Sequence, residues 1–284
     1  MQLTWATDIH LDFITDVNDI HTSSRNLDTF CSMFGESDGV ILSGDISLAP
    51  LLKDHLLALG ERLARPIYFV LGNHDFWSGK FASVREEMTE LSNSSEYLKY
   101  LSAVPYIKLD KTTFIVGHDG WYDGLYGNAS QSNIVMNDWM RIGDYIPFYT
   151  PFDKNRNDSI LHISRQQADI ATHHVATGIK TLLLRQKPQK IIVVTHVPPF
   201  TNPFHLTKKS KQDVYPWYAS KTMGDMLLSA ASSNPSIRFE VFCGHCHLGY
   251  KDYIVPNLLL YSGVSEYAQP KPQFTFDTLY ETRK

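Results

Sequence analysis

Short, almost wholly apolar runs recur along this chain, and each stops abruptly at a polar cluster. Leu3-Thr4-Trp5-Ala6-Thr7 leads into Asp8-Ile9-His10, and Gly39-Val40-Ile41-Leu42-Ser43 leads into Gly44-Asp45. Ile67-Tyr68-Phe69-Val70-Leu71 leads into Gly72-Asn73-His74-Asp75. Lys190-Ile191-Ile192-Val193-Val194-Thr195 runs into His196, and residues 238–243 run into Gly244-His245-Cys246-His247. Continuous apolar runs of this length predict strands buried on both faces. Thr112–Val116 and Leu258–Tyr261 predict two more, and the C-terminal tail can add another. Between the strands, helical spacing predicts a helix over Ser24–Phe34, where Leu27, Phe30, Cys31 and Phe34 share a face. Further helices are predicted over about Leu51–Leu63, Phe81–Leu91, Ile160–Arg185 and Trp217–Ala231.

Strands alternating with helices predict an α/β fold with a largely parallel sheet and helices on its faces. Ligands bind such sheets beyond the carboxyl ends of the strands, where all five polar clusters fall. From about 118 to 159 the periodicity fails, and Tyr, Trp, Asn, Asp and Gly dominate. That segment is expected to be a cap-like insertion folding over the site, since loops this long usually serve function. Thr201–Pro216 is expected to be a second loop. With no repeat, low-complexity tract or linker, a single domain over 1–284 is expected.

The bulk numbers narrow the picture. A chain of 284 residues, 43% hydrophobic and 20% charged, suits one sizeable α/β unit. A formal net charge of -4 does not favour long nucleic acid as a partner. No apolar run approaches the length of a membrane span. The first residues read as a strand, not as a signal peptide. Three cysteines, Cys31, Cys243 and Cys246, are too few for a disulfide framework. A cytoplasmic protein is expected.

The clusters supply carboxylates, an amide and imidazoles, the donor mix that holds two divalent ions. Oxygen and imidazole together suit Mn, Fe or Zn better than Ca or Mg. Two such ions about 3.5–4 Å apart are a known solution to phosphoryl transfer. Taken singly, each cluster reads as a turn or carries little weight. Their conjunction and order carry the inference.

In that order the motifs resemble the calcineurin-like metallophosphoesterase family, whose run is D-x-H, G-D-x-x-D, G-N-H-D/E, H and G-H-x-H. The resemblance spans residues 8 to 247. It implies two packed β-sheets flanked by helices. It implies that Asp8, His10 and His247 bind one metal, that Asn73, His196 and His245 bind the other, and that Asp45 bridges them. His74 then binds no metal, faces the phosphate and protonates the leaving oxygen, while a hydroxide shared by the ions attacks phosphorus in line. The chain departs from the pattern at Leu48, where the family has a second aspartate, and Ala49 replaces the arginine of the Ser/Thr protein phosphatase branch. What orients His74 is therefore open, with Asp75 or an insertion residue as candidates. His118 is a further candidate for a supporting place around the ligands. A small or medium phosphate ester is expected as substrate, with a phosphodiester or nucleotide-type compound favoured over a phosphoprotein.

Two other classes compete. A non-catalytic metal-binding scaffold can lack the acid histidine, which is present here as His74. A thiol oxidoreductase would use Cys243 and Cys246, but such sites place an exposed thiolate at a helix start, and Cys243 ends a buried strand. His21, His55, His162, His173, His174 and His205 are expected on the surface or on helix faces. Trp121, Tyr122, Tyr126, Trp139, Tyr145, Phe148 and Tyr149 are expected to form the core of the cap rather than a base-stacking platform. Lys208, Lys209 and Lys211 form a basic cluster after His196 that can attract an anionic substrate.

Overall fold

Neighbouring residues of each central strand face two different cores, the arrangement that a continuous apolar run implies. In β2 (Gly39–Ser43), Val40 and Leu42 join one core and Ile41 another. In β7 (Lys190–Val194), Ile191 and Val193 face one side, and Ile192 and Val194 the other. The protein is described here by a computed structural model that covers residues 1–16, 18–149, 156–206 and 211–279.

Two sheets lie face to face. The first contains β1 (Gln2–Ala6), β2, β3 (Ile67–Val70), β4 (Leu98–Tyr100) and β11 (Phe274–Asp277), in the order β11-β1-β2-β3-β4. The second contains β5 (Ile107–Lys108), β6 (Thr113–Gly117), β7, β8 (Arg238–Cys243), β9 (Tyr250–Val255) and β10 (Leu258–Ser262), in the order β5-β6-β7-β8-β10-β9. Pairing is parallel except at β11, β5 and β9, which add antiparallel to sheet edges. Leu3, Trp5, Ile41 and Val70 from one sheet and Ile192, Val194, Phe242 and Leu259 from the other form the core between them. Trp5 and Phe242 meet edge to face across it at 5.1 Å.

Helices cover the outer faces. Helices α1 (Ile20–Ser32), α2 (Ala49–Leu63) and α3 (Phe81–Ser94) pack on the first sheet. Helices α5 (Arg156–Arg185) and α7 (Lys221–Ser233) pack on the second. The two-sheet architecture flanked by helices is the expected one. No described helix is long and apolar enough to cross a membrane.

Some elements differ from the sequence reading. The helix expected over Trp217–Ala231 is two helices, α6 (Lys211–Tyr218) and α7, because Ser220 breaks the run and caps α7 by accepting from Met223 N. The expected loop 201–216 therefore contains helix, including a 3-10 turn at Asn202–Leu206. Strands β4, β5 and β9 were not legible: two are very short, and β9 is mostly exposed.

Segment 118–149 holds one short helix, α4 (Asp138–Arg141), and two 3-10 turns. Its Trp121, Tyr122, Trp139 and Tyr145 do not form a separate core. They merge with the core that α3 shares with the first sheet, where Phe81 meets Trp121 at 4.8 Å. Their polar tips pair internally, Trp121 Nε1 donating to Tyr145 OH at 2.7 Å and Trp139 Nε1 to Tyr122 OH at 3.1 Å. Tyr126 and Tyr149 are half-buried, and Phe148 is exposed. Lys208 and Lys209 lie outside the described residues, as do the side chains of His205 and Lys211.

Candidate metal centre

Each polar cluster is a tight turn leaving the carboxyl end of a parallel strand. Five of its residues, Asp8, His10, Asp45, His245 and His247, hold φ between 40° and 66°. Non-glycine residues in this left-handed region cost roughly 1–3 kcal/mol each, and such strain gathers at functional sites. Backbone bonds lace the turns together. Asp8 N donates to Gly44 O (3.0 Å), His10 N to Asp45 O (3.0 Å) and Gly244 N to His196 O (2.9 Å).

The Asp45 carboxylate stands between two groups of donors. On one side, Oδ2 lies 3.8 Å from His10 Nε2. There, His247 Nε2 is 3.3 Å from Asp8 Oδ1 and 3.4 Å from His10 Nε2. One donor atom each from Asp8, His10, Asp45 and His247 fall within 4.8 Å of one another. On the other side, Asp45 Oδ1 lies 3.3 Å from His196 Nε2. Asn73 Oδ1 is 3.1 Å from that nitrogen and 2.9 Å from His245 Nδ1. Donors around one ion bound at about 2.0–2.2 Å lie roughly 3–4 Å apart, so both groups fit a divalent cation.

The chemistry of the second group supports that fit. His245 Nε2–H donates to Trp217 O (3.4 Å), and Asn73 Nδ2 donates to Asp138 Oδ1 (2.8 Å). His245 Nδ1 and Asn73 Oδ1 then face each other as lone pairs, which a cation between them would satisfy. Burial holds the His245 ring down to about 3, so it carries one proton. His196 Nδ1 meets Ser43 O at 2.9 Å, which turns Nε2 inward. Burial disfavours a charged His196, yet the adjacent Asp45 lifts it to about 10. The pocket thus attracts positive charge at that nitrogen, and a metal ion held there would take the place of a proton. Asp45 itself is held well below the carboxylate range: burial opposes this, and His196 and His74 outweigh it.

His74 lies across the Asp45 carboxylate, its Nε2 3.9 Å from Oδ2. Its Nδ1 is buried and has no hydrogen-bond partner among the described residues. The ring stacks on Trp77, with centroids 3.5 Å apart and planes at 25°. Burial pushes the imidazole down to about 4. Leu48 precedes α2 and packs on the core. Asp75 does not reach His74 either. Its Oδ1 accepts from Ile46 N (2.9 Å) and Ser47 N (2.7 Å), and its Oδ2 from Gly72 N (2.7 Å), tying the Asp45 turn to the Asn73 turn.

His118 is buried away from the donors, its ring 5.3 Å from that of His174 on α5. Its neighbour Asp119 does the supporting, which the sequence reading missed. Asp119 accepts from Leu71 N (2.9 Å), Arg85 Nε (2.8 Å), Tyr100 OH and Ser102 Oγ, while its carbonyl accepts from His196 N at 3.0 Å. Trp77 and Asp138 were also missed; both are apolar-core neighbours whose polar atoms turn to the site. His55 is a buried helix-face residue bonded to Ser47 and Thr15. Cys243 and Cys246 are both free: Cys243 is fully buried against Tyr261 O and burial pushes its thiol far up, and burial holds Cys246 up to about 11.

The model of the calcineurin-like phosphoesterase family matches residues 3–249, and the chain belongs to that family. Membership makes it a metal-dependent phosphoesterase, hydrolysing phosphate esters with divalent metal ions. Among solved structures, a phosphopantetheinyl hydrolase from Mycobacterium tuberculosis is similar over 95% of this chain and 95% of its own, with 15% identity and a TM-score of 0.65. A dimetal phosphatase from Danio rerio is similar over 92% of this chain and 86% of its own, with 13% identity and a TM-score of 0.51. At these identities the likeness is one of fold. A search of curated proteins gives no match.

Proposed function

We propose that the chain cleaves a small or medium phosphodiester or nucleotide-type ester in the cleft above Asp45, with His74 as general acid. Asp8, His10 and His247 would hold one ion, Asn73, His196 and His245 the other, and Asp45 would bridge. Bound there, two Mn, Fe or Zn ions would lower the pKa of a shared water and neutralise phosphate oxygens. The observation that carries the reading is the Asp45 carboxylate, whose two oxygens face separate donor groups.

His74 would give a proton to the leaving oxygen. A ring held down to about 4 by burial is neutral at pH 7. Negative charge on a bound phosphate ester raises its proton affinity, so substrate arrival favours the acid form. General acid catalysis of this kind contributes roughly 100- to 10,000-fold.

The cleft, about 140 Å³, supports the diester preference. Its described lining includes no Lys or Arg to clamp a monoester dianion. Its lining is mostly polar, with exposed aromatic and apolar side chains standing at one edge. Tyr267 (49% exposed) lies 4.7 Å from His10 and 5.0 Å from Phe13 (51% exposed), with Val135 also exposed. Such an edge suits a planar or apolar ester group.

The test is a substrate panel assayed with Mn, Fe, Zn, Co and Mg. Bis(4-nitrophenyl) phosphate is expected to turn over faster than 4-nitrophenyl phosphate, with Mn, Fe or Zn most effective. Turnover of the monoester alone would overturn the diester assignment.

A further inference from the structure

We propose that Asp138, supplied by the segment between β6 and α5, is the positioning residue that aims both Asn73 and His74 through a single carboxylate oxygen. This rests on the two-ion reading above. Asp138 Oδ1 accepts from Asn73 Nδ2 at 2.8 Å and from Trp77 Nε1 at 2.8 Å. The residue borders the cleft, yet it is only 1% exposed.

The first bond decides which way the Asn73 amide faces. With Nδ2 held by Asp138, Oδ1 turns to His196 Nε2 and His245 Nδ1. A flipped amide would aim N–H donors at a cation. The second bond fixes the Trp77 indole, and that indole is what the His74 ring lies against. Among the described residues His74 Nδ1 has no hydrogen bond of its own, and neither Leu48 nor Asp75 supplies one. Orientation of the ring therefore passes through the stack.

The short helix that carries Asp138 is anchored for this task. Arg141, one turn along α4, sits over the same indole at 4.6 Å. Arg141 O accepts from Ser78 N at 2.8 Å, and Gly143 N donates to Gly79 O at 2.8 Å. The segment is thus pinned to the turn that follows His74. Two groups with different tasks, a metal ligand and a proton donor, share one support.

Calorimetric titration of Mn²⁺ into metal-free protein tests this. Wild type should take up about two equivalents. Asp138→Ala should weaken one of the two sites by about 10- to 100-fold, the range for losing a group behind a ligand. Asp138→Asn, whose amide oxygen can accept the same two bonds, should restore both. Trp77→Phe keeps a ring beside His74 without the N–H. It should lower kcat while KM and both Mn²⁺ affinities stay at wild-type values, and it tests the second arm even if Asp138→Ala fails to fold. Unchanged Mn²⁺ binding in Asp138→Ala, or equal loss in Asp138→Asn, would overturn the positioning role alone. Wild type taking up a single equivalent would overturn the two-ion reading and this proposal with it.

Discussion

A side chain on Gly72 would collide with the carboxylate of Asp45: a Cβ there would lie 2.2 Å from Asp45 Oδ1. The glycine is what lets the end of β3 approach the turn after β2 closely enough for one carboxylate to serve two donor groups. Gly244 plays the same part for Asp8, whose Oδ2 would lie 2.1 Å from an added Cβ.

Gly72→Ala is therefore expected to push Asp45 out of place and to weaken metal binding at least about 10-fold. Metal content after dialysis, measured beside circular dichroism, checks this. A folded variant with wild-type metal content would contradict it.

His74→Ala should lower kcat by about 100- to 10,000-fold while metal content is unchanged, since in the proposed mechanism the ring would donate a proton and ligate nothing. Steady-state kinetics with elemental analysis separate the two effects. Full activity would remove His74 from the mechanism.

Asp119 and Arg85 form a buried pair at 2.8 Å behind the site. Asp119→Ala leaves Arg85 uncompensated and four donors without an acceptor, so a loss of about 3–5 kcal/mol is expected. Urea unfolding of the metal-free protein measures it. A loss below about 1 kcal/mol would mean that solvent or a rearranged partner replaces the carboxylate.

His118 gives a pH prediction away from the metal ligands. Burial holds it down to about 3, against about 6.5 for a free histidine. Between those values the unfolded chain binds a proton that the folded chain does not, so stability rises with pH there. The contribution is present above about 6.5 and is lost as pH falls towards 3. His118→Gln should flatten the fall in Tm between pH 7 and pH 4, measured on metal-free protein. An equally steep fall in the variant would assign it to other groups.

Strands buried on both faces announce themselves as unbroken apolar runs, which is why β1, β2, β3, β7 and β8 and their terminal clusters were legible. Asp8, Asp45, Asn73, His196 and His245 each stand within a few residues of such a run, so topology alone gathers them. The supports were not legible because they act at long range. Asp138 meets Trp77 across 61 positions, and Asp119 meets Leu71 across 48. Neither pair shares a periodic pattern. His118, which stands beside Asp119 in sequence, points to the α5 side because consecutive residues leaving a strand face opposite ways. Strand β9 escaped because its faces are mostly exposed and its residues mixed.

The central claim is that one carboxylate serves both ions, and the metal content of purified Asp45→Asn tests it most directly. If Asp45 bridges, occupancy drops at both positions at once, from about two ions per chain towards none. Two tightly held ions in that variant would contradict it.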